Sequence, residues 1–91
     1  MDPDCVRTLA IAGRACLRTR APERALNYYE RLATLQPDVA RHHLQMARCL
    51  DRIGMTDAMH DAARRCLELE PDNADARALV EKGNAMVAEL E

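Results

Sequence analysis

The sequence predicts an all-α protein built from stacked helix-turn-helix units. The tetrapeptide Leu-Gln-Pro-Asp at residues 35–38 returns as Leu-Glu-Pro-Asp at residues 69–72, a distance of 34 residues. A self-match of this period, closed each time by a proline after a helical stretch, is typical of helical repeat arrays. Apolar residues recur at three- and four-residue intervals, and no stretch alternates apolar and polar residues over the length of a strand.

Two helices are predicted in the first 35 residues. Asp2 and Pro3 offer a capping carboxylate and a proline suited to a first turn, so a helix should run to about residue 18. Pro22 starts a second helix that ends near residue 35, because Pro37 disfavours helical geometry at the residue before it. The apolar faces are predicted to comprise Leu9, Ala12, Ala15, Cys16 and Thr19 on the first helix, and Ala25, Tyr29 and Leu32 on the second.

A third helix is expected over residues 39–53, between two end signals. Asp38 can cap its first turn, and Gly54 can adopt the left-handed conformation that ends a helix. The spacing of the apolar residues predicts an inner face of His43, Met46, Cys49, Leu50 and Ile53.

The last part of the chain predicts two more helices. Thr56 and Asp57 open a fourth helix that Pro71 closes, with Met59, Ala63, Cys66 and Leu67 on its inner face. Asp72 or Asn73 caps a fifth helix over residues 74–90, which is more polar than the others. Its apolar residues are Ala76, Val80, Ala85, Val87 and Leu90.

With these helices placed, the chain resembles the tetratricopeptide repeat family. Two units fit, residues 6–39 and 40–73, and the helix over 74–90 resembles the solvating helix that closes such arrays. The residues that carry the resemblance are Ala12-Gly13, Ala25, Tyr29 and Pro37 in the first unit, and Met46-Ala47 and Pro71 in the second. Met59 and Ala63 depart from the family pattern as a size swap that can conserve core volume. The resemblance implies a right-handed superhelix of antiparallel helix pairs, in which the first helix of each pair lines a concave groove.

Seven basic residues recur at the 34-residue period. They are Arg14, Arg48 and Lys82, then Arg7 and Arg41, then Arg18 and Arg52. On the first helices of the units these residues would stack along the groove. Arg14 and Arg18 have no acid three or four residues away, so intrahelical pairing does not balance them. We expect this groove to bind an acidic and apolar segment of a partner protein, with Leu17 and Leu44 supplying apolar contacts; a solvated basic face is the simpler alternative.

The family's groove for acidic chaperone C-termini uses Lys and Asn on the first helix, Asn on the third, and Lys and Arg on the fifth. The matching positions here hold Ala10, Arg14, Gln45, Asp75 and Leu79. The sequence therefore predicts that this particular clamp is absent.

Catalysis and cofactor binding find little support in the sequence. The chain has no serine, no Gly-x-Ser-x-Gly motif and no glycine-rich phosphate loop, so we expect no enzymatic activity. His42, Met46 and Cys49 share a helical face and could present ligands to a soft metal or haem. Core packing of Met46 and Cys49, with His42 at the edge of that face, is the preferred interpretation, because the sequence identifies no fourth ligand. No cofactor is expected. A metal or redox sensor built on Cys16, Cys49 and Cys66 is the alternative function.

The charge and length of the chain bound its partners and location. No apolar run reaches the roughly 18 residues of a membrane span, and the acidic N-terminus does not resemble a secretory signal, so the chain should be cytoplasmic. The net charge of -2 is far from the basic excess of nucleic-acid binders. We expect an adaptor or chaperone, and its size and solitary architecture suggest a bacterial type III secretion chaperone. About three units are normally needed for a stable array, so a homodimer or an obligate heteromer is expected.

Overall fold

A computed structural model describes the backbone of residues 5–90 and the side chains of residues 5–85. This part of the chain forms five α-helices. The helices are α1 (Val6–Arg18), α2 (Pro22–Leu35), α3 (Ala40–Ile53), α4 (Thr56–Leu69) and α5 (Ala74–Leu90). No strand occurs in the described part of the chain. Each helix packs against the next, and α3 also contacts α5, in an elongated body of 49 × 26 × 17 Å. The predicted all-α class is confirmed.

The helix starts show which capping predictions were right. The predicted start at Asp2 and Pro3 lies outside the described residues. Asp38 does not cap α3, because the residue at the N-cap is Val39, which has no side-chain acceptor. The residue 34 positions later is Asn73, and its Oδ1 accepts a hydrogen bond from the amide of Ala76 at 3.0 Å. The cap predicted for the fifth helix is therefore present.

The turns that follow α2 and α4 have the same geometry. Gln36 and Glu70, which are 34 residues apart, have φ angles of -134° and -133°. Their amides donate to the carbonyl oxygens of Leu32 and Cys66 at 2.8 Å in both cases. Each is followed by a proline, which pushes the residue before it out of helical geometry. The sequence period is thus reproduced in the backbone.

The ends of α1 and α3 also correspond. Gly54 has a φ of 95°, the left-handed stop predicted from the sequence, while Arg20 takes the same role after α1 with a φ of 59°. In both turns an amide donates back across the helix end, from Ala21 to Cys16 at 2.8 Å and from Met55 to Leu50 at 3.0 Å. The sequence did not reveal Arg20, because an arginine is not a typical left-handed residue.

The core consists of three apolar clusters along the stack. The first joins α1, α2 and one residue of α3, and it comprises Leu9, Ala25, Tyr29, Leu32 and Cys49. The second lies between α3 and α4 and comprises Ala47, Leu50, Met59, Ala62 and Ala63. The third reaches α5 and comprises Ala40, Leu44, Cys66 and Ala76. The inner face predicted for α2 is confirmed in full.

Glycine at position 13 is required by the ring of Tyr29. A Cβ atom on Gly13 would lie 2.9 Å from Cε2 and Cζ of that ring, closer than such atoms approach. In the second unit the corresponding positions are Ala47 and Ala63, both fully buried, and the bulk is supplied by Met59. The predicted size swap therefore fills the core, and it lets an alanine replace the glycine.

The faces predicted for α1 and α3 need correction. Ala15 and Thr19 are exposed on α1, because no helix in the described structure covers that side of it. On α3, His42 is buried and His43 is only partly so, the reverse of the prediction. The reason is that α3 packs between α2 on one side and α4 and α5 on the other, so it buries more of its circumference than one stripe. Met46 and Ile53 are half-buried.

The outer helices are less buried. Leu67 on α4 and Val80 on α5 are half-buried, and Ala85 is exposed. The side chains of Val87 and Leu90 lie outside the described residues. None of the helices, over the residues searched, is both long and apolar enough to cross a membrane.

Candidate protein-binding groove

Three of the predicted site residues meet in a depression between α1 and α3. This depression has a volume of about 300 Å³ and is lined by Leu17, Gln45, Arg48, Asp51 and Arg52. Leu17 provides apolar surface from α1, while Arg48 and Arg52 stand one helical turn apart on α3. The prediction did not include Gln45 and Asp51, although both lie three residues from Arg48 and so share its face.

Two of the periodic bases are paired with acids across the α3–α5 contact. The guanidinium of Arg48 lies 3.1 Å from Oδ2 of Asp75, and Nζ of Lys82 lies 2.8 Å from Oδ1 of Asp51. Arg48 and Lys82 are each about half exposed, so solvent weakens both ion pairs. The pairs connect α3 to α5 at the surface and lower the positive charge at this end of the groove.

The other five periodic bases make no ion pair with another described residue within 4.0 Å. They are Arg7, Arg14, Arg18, Arg41 and Arg52, and all five are exposed. Four of them precede Arg48 in the chain. Uncompensated positive charge is therefore concentrated on α1 and on the exposed face of α3.

The structure does not bring all the predicted groove residues to one place. Arg14 and Arg18 line a separate depression of about 400 Å³ together with Ile11, Ala15 and Thr19. Leu44 is only 7% exposed and packs in the third core cluster. Its predicted role at the groove surface needs correction, because α4 and α5 cover it.

A wider depression lies elsewhere, on the outer surface of α2. Its volume is about 830 Å³, and its lining mixes Arg24 and Arg31 with Glu30 and the partly exposed Leu35. Nearly all of its lining residues come from one helix, and both signs of charge are present. This depression is an open surface of α2, and its mixed charges do not favour one class of ligand.

The histidine and cysteine side chains are arranged for packing. In the described residues, no three His, Cys, Asp or Glu side chains are placed to hold a metal ion. Nε2 of His42 is 2.9 Å from Oε1 of Gln36, while Cys49 is buried in the first cluster. Burial raises the pKa of the Cys49 thiol to about 11, and burial followed by the charge of Glu70 raises the pKa of Cys66. Raised thiol pKa values disfavour the thiolate that metal binding and redox chemistry require.

The fold is that of a tetratricopeptide repeat domain. The structure is similar to that of the first such domain of Spaghetti (RPAP3), solved bound to the HSP90 peptide SRMEEVD, with a TM-score of 0.88 and 18% sequence identity. The match covers 96% of this chain and 69% of the other. No family model and no curated protein matches the sequence. The resemblance inferred from the sequence is thus confirmed at the level of the fold.

Proposed function

We propose that the chain is a non-catalytic protein-interaction module, an adaptor or chaperone that binds an acidic and apolar segment of a partner. The observation that carries the proposal is the depression in which Leu17 lies beside Arg48 and Arg52. Apolar surface next to guanidinium groups suits a ligand that alternates apolar side chains with carboxylates, since arginine binds carboxylates through two parallel hydrogen bonds.

The structural neighbour supports this class of ligand without specifying it. Its bound peptide, SRMEEVD, carries three acidic residues together with methionine and valine. In the present chain the clamp positions hold different residues, and Asp75 at one of them already binds Arg48. We therefore expect this chain to prefer a different acidic segment and to bind a peptide of that sequence weakly.

Different interactions should determine the affinity and the orientation of the bound segment. Exposed ion pairs contribute only about 0.2–1 kcal/mol each, so burial of apolar residues on Leu17 must supply most of the affinity. The charges instead raise the encounter rate and fix the direction of the segment. Binding should therefore weaken with salt without vanishing.

Fluorescence titration with a synthetic peptide tests the groove directly. The probe alternates Asp or Glu with Leu, and a matched peptide carries Asn or Gln in place of each acid. We expect the acidic peptide to bind more tightly and Arg52→Glu to weaken it about 3- to 10-fold, on the order of 1 kcal/mol. Arg52 makes no ion pair in the described structure, so its replacement leaves the α3–α5 contacts intact.

The matched control is Arg64→Glu together with Arg65→Glu on α4. Arg65 is 3.3 Å from Glu68 on the same helix, and neither arginine lines the depression. If the α4 variant lost binding while Arg52→Glu kept it, the ligand would lie on the outer surface and the groove would not be the site.

The narrower assignments remain predictions. A role as a type III secretion chaperone is a hypothesis from the sequence, and the fold comparison does not support it. Identifying the protein co-purified with the chain from its native cell would decide between a secretion substrate and another partner.

A further inference from the structure

One face of α1 is open in the described structure, although the corresponding face of α3 and of α5 is largely covered. The corresponding positions repeat every 34 residues along the chain. They are Thr8, His42 and Ala76, then Ile11, Gln45 and Leu79, then Ala15, Cys49 and Gly83.

In α3 this face is covered by α2 at His42 and Cys49, while Gln45 between them is partly exposed and lines the groove depression. Cys49 is fully buried in the cluster that contains Ala25 and Leu32, and His42 contacts Gln36 at the end of α2. In α5 the face is covered by α4. Ala76 packs with Cys66, and a Cβ atom on Gly83 would lie 2.9 Å from the ring of His60.

On α1 the corresponding residues are left exposed. Ile11 is 56% exposed, which is the largest exposure among the bulky apolar residues of the described structure, and Ala15 is exposed beside it. Around these two residues lies the depression of about 400 Å³, with Arg14, Arg18 and Thr19 at its rim. Covering Ile11 and Ala15 would remove their apolar surface from water, which is favourable.

The positive charge of this face favours an acidic occupant. Helix α1 contains three arginines and no acid, and neither Arg14 nor Arg18 is paired within the described residues. Two copies of the chain joined face to face would oppose these arginines to each other, which like charges disfavour. A helix that carries carboxylates would neutralise them.

Helix α4, which covers the corresponding face of α5, is an example of an acidic helix in this position. In the first two turns of α4, Asp57 and Asp61 line a depression together with Gly83 of α5. Gly83 corresponds to Ala15, so a helix lying on α1 as α4 lies on α5 would bring two carboxylates towards the Arg18 end of the open face.

We propose that the open face of α1 docks an acidic amphipathic helix of a partner protein, packed on Ile11 and Ala15 and paired with Arg14 and Arg18. This surface is separate from the depression lined by Leu17 and Arg52. The proposal therefore does not depend on the groove function.

The test uses the full chain labelled with ¹⁵N and a peptide with the sequence of residues 56–71. The peptide carries Cys66→Ser to prevent oxidation and a lactam between Glu68 and a lysine introduced by Arg64→Lys, so that it is helical. We expect chemical-shift changes at Thr8, Ile11, Ala15 and Thr19. A second peptide with Asp57→Lys and Asp61→Lys should bind at least tenfold more weakly.

Two variants of the full chain locate the contact. Ile11→Asp should abolish the shift changes, and Arg18→Glu should weaken binding severalfold; both residues are exposed, so helix content measured by circular dichroism should be retained. Arg52→Glu, which changes the groove, should leave the peptide bound. That variant separates failure of this proposal from failure of the groove function.

Four outcomes would overturn the proposal. One is the absence of shift changes at millimolar peptide, and another is the appearance of the changes around Gln45 and Arg52. The third is equal binding of the two peptides. The fourth is a concentration dependence of the shifts at Ile11 and Ala15 in the unliganded chain, which would make the occupant a second copy.

Discussion

The ring of Tyr29 determines which residue can occupy position 13. Tyr29 is 3% exposed and lies against Gly13 with no room for a methyl group. Gly13→Ala should therefore destabilise the protein by about 1–3 kcal/mol through overpacking, although alanine favours a helix by about 1 kcal/mol. Urea denaturation measures the loss.

The same pair provides its own control. Tyr29→Ala alone should cost about 3–5 kcal/mol as a buried aromatic truncation, whereas Tyr28→Ala, on a half-buried side chain, should cost much less. In a Tyr29→Leu background the cost of Gly13→Ala should shrink, because the ring that opposes the methyl group is gone. Additive effects of the two changes would show that they do not touch.

Buried His42 makes stability depend on pH. Nε2 of His42 lies 2.9 Å from Oε1 of Gln36 and must donate its proton there, while Nδ1 is buried with no hydrogen-bond partner among the described residues. Burial, and then the charges of His43 and Arg41, lower the pKa of His42 below its ordinary value of 6.5. Well above pH 6.5 the ring is neutral in both the folded and unfolded states.

As pH falls below 6.5 the unfolded state takes up this proton before the folded state, so stability falls until the lowered pKa of the folded state is passed. We expect the urea midpoint to drop between pH 7.5 and pH 5, and His42→Leu to flatten that dependence. His43→Leu is the matched control and should keep the drop caused by His42. An unchanged pH dependence in His42→Leu would contradict the assignment.

At the scale of the element, the two helix ends at Arg20 and Gly54 have the same backbone geometry with different residues. The left-handed conformation is unfavourable for an arginine by roughly 1 kcal/mol, while glycine adopts it freely. Arg20→Gly should therefore stabilise the chain by about 0.5–1 kcal/mol, measured as a rise in melting temperature. Arg20 is exposed, so little packing is lost.

The reverse substitution at the end of α3 tests whether backbone conformation is the cause. Gly54→Ala should destabilise the chain, because the φ of 95° there is strained for any residue with a Cβ atom, although the space around Gly54 is open. If both substitutions were neutral, the ends of α1 and α3 would relax without strain, and backbone conformation would not explain the glycine.

At the scale of the whole molecule, the stack is thin and leaves apolar surface uncovered. Ile11, Leu35 and Met55 are each about half exposed, and the core is spread over three small clusters instead of one. Repeat arrays gain stability from each neighbouring interface, and this chain has few of them. We expect marginal stability for the isolated monomer, with a gain when a second copy or a partner covers the exposed residues.

Sedimentation velocity combined with thermal denaturation measures the stability of the monomer and its increase on association. The monomer should melt at or below the mesophilic range of about 45–65 °C, and dimerisation or partner binding should raise the midpoint. A monomer that melted cooperatively well above that range would show that the two helix pairs and α5 suffice by themselves.

The sequence by itself determined the helices and their period. Proline positions and apolar spacing act locally, because proline restricts its own φ and its neighbour's conformation wherever the chain is placed. The limits of α2 and α4, the left-handed turn at Gly54 and the burial of Tyr29 therefore followed from sequence alone. The fold class followed as well.

Tertiary packing decided which side of each helix is covered and which charges are free. The sequence placed His43 in the core and Leu44 in the groove, but α3 is enclosed by three helices and buries His42 and Leu44. The pairing of Arg48 with Asp75 joins residues 27 positions apart, so no pattern of neighbouring residues reveals it. Burial and long-range ion pairs depend on the helices that lie opposite, and only the assembled stack places those helices.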